Sequence, residues 1–157
     1  MTMSVNTGLS AKNCSVVVKH LSAILSDTYL LYVKTQNFHW NVSSSLFYSL
    51  HLMFEGQYGE LAEAVDVLAE RIRALGHAAP GSFAEFSAFG SVKESTKVPK
   101  ATEMLKQLLG DHELICREIR AVIPVIEKTG DDVTVDTLIE RLTQHEKTAW
   151  MLRSSIE

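Results

Sequence analysis

A chain of 157 residues makes about one domain and is long enough to bury a sizeable core. Its 46% hydrophobic content argues against disorder, and no apolar run reaches the roughly 18 residues of a membrane span. A formal net charge of −4 disfavours general nucleic-acid affinity and suits a protein that handles cations.

The first residues, Met1 to Gly8, lack a basic region followed by an apolar block, so no signal peptide is expected. Residues 1–10 read as a flexible tail and 11–157 as a single domain. From Ala11, Val17, Leu21, Ile24, Leu25, Leu31 and Phe38 recur at helical spacing, which predicts a helix of about 28 residues. His39 and Trp40 fall near its C-terminal end. Asn41 to Ser45 is the turn, and its serines suit the N-cap of the next helix. That second helix runs without proline from Leu46 to Leu75, with Leu50, Phe54, Leu61, Val65, Leu68, Ile72 and Leu75 on one stripe. Gly76 stands where a C-terminal cap belongs.

Phe83, Phe86 and Phe89 then lie in a compact linker with room for a short helix. A polar stretch, residues 91–100, completes a long crossover. The third long helix is expected from about Pro99, a first-turn position, to Lys128, with Pro124 kinking its last turn. Thr129 to Asp132 is a stop followed by a start, and a fourth long helix runs to about Ser155. No segment reads as a strand. The expectation is an all-α four-helix bundle whose long crossover carries a short extra helix. Cys14 and Cys116 have no ligand or redox spacing and read as reduced, structural thiols of a cytoplasmic protein.

The chemistry concentrates in the second helix. At about 100° per residue, His51, Glu55, Asp66 and Glu70 share an arc of roughly 100° beside the apolar stripe. Gly59, Ala62 and Ala69 are mixed into that face. With His39, these four residues are candidate metal ligands. At about 1.5 Å per residue, however, His51 and Asp66 are roughly 22 Å apart, whereas one ion needs its ligands within about 2.0–2.6 Å. Either there are two sites, or two copies pack antiparallel. The second option makes a two-fold dimer with two equal sites, each holding His39 and His51 from one chain and Asp66 and Glu70 from the other. A solvated polar face carrying a histidine or two fits the same spacing.

Imidazole and carboxylate together suit iron, zinc or manganese. The Glu-x-x-His signature of ferritin-like di-iron bundles is absent. Val17, Gln36, Tyr48, Ala74, Leu109 and Leu142 stand three residues before the six histidines. An iron-oxidising bundle of this sequence would not carry its site in the middle of one subunit.

His39-Trp40-Asn41-Val42, then Phe47, Leu50-His51, Phe54-Glu55, Tyr58, Asp66, Ala69-Glu70-Arg71-Ile72 and Leu75-Gly76 closely resemble the Dps family of mini-ferritins, the DNA-protection proteins of starved cells. His145-Glu146-Lys147 and Ala149-Trp150-Met151-Leu152 in the last helix agree. The resemblance implies a ferritin-like bundle that assembles into a hollow, cytoplasmic dodecamer built from two-fold dimers. It implies a ferroxidase that oxidises Fe(II) with hydrogen peroxide, or oxygen, and stores ferric iron. Carried over residue by residue, His39, His51, Asp66 and Glu70 become iron ligands, Glu55 belongs to the second iron position, and Trp40 intercepts one-electron leakage or simply packs. Asp131, Asp136 and Glu140 either cap the last helix and complement its dipole or line three-fold pores that draw Fe(II) inward.

Two positions depart from the family: Ser43-Ser44-Ser45 replaces the common Gly-Pro turn, and Gly56 and Gly59 interrupt the second helix. Direct DNA binding is disfavoured, because the first 13 residues carry only Lys12. The alternative remains a nucleoid-associated protein that protects DNA by physical binding.

Overall fold

The structure, a computed structural model, describes residues 5–156; residues 1–4 of the expected tail, and Glu157, lie outside it. Five helices follow in order: α1 Ala11–Asn41, α2 Phe47–Ala74, α3 Phe83–Phe89, α4 Ala101–Glu127 and α5 Asp132–Ser154. No strand occurs among the described residues. Val5 and Leu9 are half-buried and pack on the core, so this part of the expected tail lies against the bundle.

Cross-helix pairs fix the directions. His39 meets His51 and Tyr32 meets Tyr58, so α1 and α2 run antiparallel. Asn13 Nδ2 donates to the Thr129 carbonyl at 3.0 Å, and Lys34 pairs with Asp111 at 2.6 Å, so α4 also runs against α1. Hence α2 and α4 are parallel, and the chain must travel the length of the bundle between them. Residues 75–100, carrying α3, do this. Arg71 pairs with Asp131 at 2.6 Å and Glu60 with Arg141, which sets α5 antiparallel to α2.

Each boundary has a local cause. Ser10 accepts the Asn13 N–H at 3.1 Å and caps α1. Gly76, at φ +86°, ends α2 in a Schellman motif: its N–H donates to Arg73 and that of His77 to Ile72. Ser82 and Glu85 close a full capping box on α3. Two expectations need correction. The N-cap of α2 is Leu46, whose side chain cannot cap; Ser44 Oγ instead accepts the Leu46 N–H at 3.0 Å. Pro99 lies ahead of α4, which starts at Ala101 after Lys100.

α1 is the spine of the core. Contrary to the expectation that no apolar run is long enough, α1 could cross a membrane by length and composition, yet most of that apolar stretch is buried inside the bundle. Val17, Leu21, Leu31 and Phe38 are fully enclosed. The crossover is tied to this spine by polar contacts. Asp27 is fully buried, and its Oδ1 accepts the N–H groups of Ser91 at 2.6 Å and Val92 at 2.7 Å. Gly90 suits that approach, since a Cβ there would stand 2.9 Å from the Phe86 carbonyl oxygen and 3.0 Å from Asp27 Oδ1. Burial, followed by Glu118 across from it, raises the Asp27 carboxyl to about 7 against the opposing pull of the Val92 N–H.

A second buried polar group joins α4 to α5. His112 Nδ1 and His145 Nδ1 are 2.9 Å apart, so one donates and the other accepts. Burial, with the Arg141 charge second, lowers His112 to about 3, and burial with His112 and Arg141 nearby lowers His145 as well.

Two pH effects follow. Unfolded histidines titrate near 6.5, so as pH falls below that value the unfolded state takes up protons that the buried pair refuses, and stability drops. Relative to the H112Q/H145Q double variant, the urea midpoint of the natural chain is expected to fall more steeply from neutrality toward pH 4; parallel curves would contradict this. Asp27 acts in the opposite sense. Its folded carboxyl keeps a proton that the unfolded one loses near its ordinary 3.8, so it lowers stability as pH rises toward about 7. D27N, which has no carboxyl to titrate, is therefore expected to gain stability relative to the natural chain over that interval, read from the same midpoints.

Candidate metal centre

The last turn of α1 and the second turn of α2 bring His39 and His51 face to face. Their rings stack with centroids 3.8 Å apart and planes 18° apart. His39 Nδ1 lies 2.8 Å from the His51 backbone oxygen, and His51 Nδ1 lies 2.9 Å from the His39 backbone oxygen. A carbonyl oxygen only accepts, so each Nδ1 carries the proton. Both Nε2 atoms are left with a free lone pair. A ring whose Nδ1–H is held by a carbonyl has its tautomer and orientation set for binding a metal through Nε2. Tyr58 meets His39 edge-on at 5.1 Å, and Phe47 stacks on His51 at 5.1 Å. The site is thus a narrow imidazole pair walled by aromatic rings.

The other candidate ligands lie elsewhere on the chain. Glu55 is exposed one turn beyond His51, and Asp66 and Glu70 are exposed farther along α2. Because α2 is one continuous helix, the roughly 22 Å between His51 and Asp66 stands. Among the described residues no group of three or more His, Cys, Asp or Glu side chains gathers closely enough to hold a metal. The chain assembles two imidazoles and leaves its carboxylates apart.

The face that carries them is open. Trp40, at 66% exposure near the end of α1, and Leu46, Phe47, Tyr48 and Leu52 around the start of α2 are all exposed. Gly56 and Gly59 lie between the two groups of candidate ligands, and a Cβ at either would meet nothing within 4 Å. A mid-helix glycine costs about 1 kcal/mol relative to alanine, and among the described residues no contact requires one at either place.

The acidic residues around the start of α5 divide. Asp131 is only 2% exposed. Its oxygens accept from Arg71, from the Thr134 N–H at 3.1 Å and from the Thr134 hydroxyl at 2.6 Å. Burial pushes its carboxyl up, but the Arg71 and Thr134 bonds outweigh that and hold it below the usual range. The pore expectation for Asp131 is corrected on this ground: its carboxylate is enclosed and committed to a cap and an ion pair. Asp136 and Glu140, one turn apart on α5, are exposed.

His112 is a buried packing residue, and His145 is its hydrogen-bonded partner. Each sits on the apolar stripe of its helix, His112 between Leu108 and Ile115, His145 between Leu138 and Leu152. That placement was the available signal. The Arg141 guanidinium beside the pair disfavours a cation there.

A family model for the ferritin-like domain matches residues 18–157. A DNA protection during starvation protein of Porphyromonas gingivalis is 37% identical over 146 residues, covering 93% of this chain and 92% of that protein. The chain belongs to the Dps family. An uncharacterized low temperature-induced protein of Nostoc sp. is 39% identical over 158 aligned residues, covering 98% of this chain and 87% of its own length. A solved Dps protein from Vibrio cholerae, described as a member of a broad superfamily of ferritin-like diiron-carboxylate proteins, superposes with a TM-score of 0.93 at 26% identity. It covers 100% of this chain and 99% of that one. The Dps chain described here has the all-α bundle with a helical crossover that its sequence predicted.

Proposed function

We propose that this chain oxidises Fe(II) at a site shared between two antiparallel copies and stores the product as ferric mineral inside a hollow cytoplasmic oligomer, a dodecamer built from those dimers. The observation that carries this reading is the reciprocal bond of His39 and His51, which leaves two Nε2 donors with no third ligand beside them among the described residues. An antiparallel copy would bring Asp66 and Glu70 of the partner subunit opposite the imidazoles, with Glu55 near a second iron position. Its helix would cross near Gly56 and Gly59, where the missing side chains permit close approach. The exposed aromatic residues around Trp40 would be covered by the same contact.

Iron is the substrate. Two Fe(II) ions each lose one electron, and hydrogen peroxide takes both with two protons as its O–O bond breaks, giving two waters. Carboxylates favour the more highly charged Fe(III). Consuming iron and peroxide together removes both reactants of hydroxyl-radical formation, which protects DNA without binding it. Asp136 and Glu140 would draw Fe(II) toward the interior from the start of α5.

Subunit exchange tests the shared site. H39A and D66A are each expected to lose peroxide-driven Fe(II) oxidation, and a mixture after verified exchange is expected to recover it, because one mixed dimer carries both lesions in one site and leaves the other intact. Absence of recovery would sink the between-subunit assignment, and absence of oxidation in the natural protein would sink the ferroxidase reading. The glycines give an independent test. G59L is expected to shift sedimentation toward smaller species while keeping the helical content of the natural chain; an unchanged assembly would remove α2 from the interface.

A further inference from the structure

Three of the four tyrosines of the chain stand in one line that begins at the metal centre. Tyr58 meets the His39 ring edge-on at 5.1 Å. Tyr32 lies 6.0 Å from Tyr58 at 79°, and Tyr29 lies 5.7 Å from Tyr32 at 60°. The line ends under the crossover, where Tyr29 stacks on Phe86 at 4.3 Å and meets Phe83 at 6.0 Å. From His39 to Tyr29 it runs ten residues along α1, or about 15 Å. All three tyrosines are half-buried on the flank of the bundle rather than enclosed in its core.

Packing alone does not select tyrosine here. An aromatic contact contributes about 0.5–1.5 kcal/mol beyond its buried area, and phenylalanine would provide the same ring. What the hydroxyl adds is the ability to give up an electron together with a proton. At Tyr32 the surroundings suit the product: Gln36 Nε2 donates to its phenolic oxygen at 3.2 Å, and that bond persists when the oxygen has lost its hydrogen.

We propose that Tyr58, Tyr32 and Tyr29 form a relay that carries single oxidising equivalents out of the metal centre. The proposal rests on the peroxide-driven reading above and concerns the turnovers in which only one Fe(II) is present. One Fe(II), one hydrogen peroxide and one proton then give Fe(III), one water and a hydroxyl radical. Tyr58 supplies the missing electron and its phenolic proton, so the radical becomes a second water and Tyr58 a neutral phenoxyl radical. An electron next passes from the Tyr32 ring to Tyr58; water takes the Tyr32 proton and returns one to the Tyr58 oxygen. Tyr29 restores Tyr32 in the same way. The relay stops there, because Phe83 and Phe86 have no hydroxyl proton to release. A thiol from solution finally gives Tyr29 a hydrogen atom and becomes a thiyl radical.

The test uses the assembled, iron-free protein loaded with one Fe(II) per subunit, mixed with peroxide and frozen. Fe(III) absorbance is followed in parallel with electron paramagnetic resonance, and ring-deuterated tyrosine identifies a tyrosyl signal. The natural protein is expected to show that signal. Y58F, which keeps the ring, is expected to lose it at an equal Fe(III) yield, and Y29F to retain it at Tyr32. Peptide mass spectrometry of the natural protein, which needs no variant to fold, is expected to find oxidised Tyr32 or Tyr29. Fe(III) formation without a tyrosyl signal, an undiminished signal in Y58F, or oxidation confined to Trp40 would overturn the relay. Failure to form Fe(III) at all would instead overturn the ferroxidase reading on which it rests.

Discussion

Two imidazole rings each give their Nδ1 proton to the other residue's carbonyl, and the meeting of α1 with α2 is built around that exchange. The carbonyl of His39 belongs to the last turn of α1, where helix carbonyls lack intrahelical partners. His51 Nδ1 supplies one. The bond therefore finishes a helix, fixes a hairpin and sets the tautomer of both rings at once. A change that moved either helix by the width of a hydrogen bond would also turn the lone pairs away from a metal.

The rest of the bundle follows from running α1 against both α2 and α4. That geometry makes the long crossover compulsory, and polar groups inside the core hold it down. Asp27 receives two backbone N–H groups from it, and Asn37 Nδ2 donates to the Ser95 carbonyl at 3.2 Å. Lys34 and Asp111, mostly buried, close α1 on α4. Such pairs are weak evidence for net stability, since desolvation offsets much of their attraction. Their role in fixing register is clearer: each has a single partner at a defined height along the bundle.

Periodicity made the four long helices legible within a few residues, because burial of one stripe dominates each of them. The candidate ligands were legible for a related reason: spacing on a rigid helix converts directly into distance. What the sequence hid depends on contacts between distant segments. The cap at Asp131 could be guessed from its position, but its burial under Arg71, sixty residues earlier, could not. His112 and His145 become a pair only when α4 and α5 are aligned. Val5 and Leu9 looked like tail because two apolar residues among small polar ones carry no period. The serine-rich turn suggested a side-chain cap one position away from the true boundary.

One consequence follows from the length of rigid helix that separates His51 from Asp66 and Glu70 on α2. On the proposed reading, a newly made chain holds only half of the machinery, so it can neither trap iron firmly nor react it with peroxide. The chemistry switches on when two chains dock, and its onset scales with the square of subunit concentration while dimers are scarce. Assembly then acts as a safety catch. A redox-active metal is engaged only after the shell that will contain its products has begun to form.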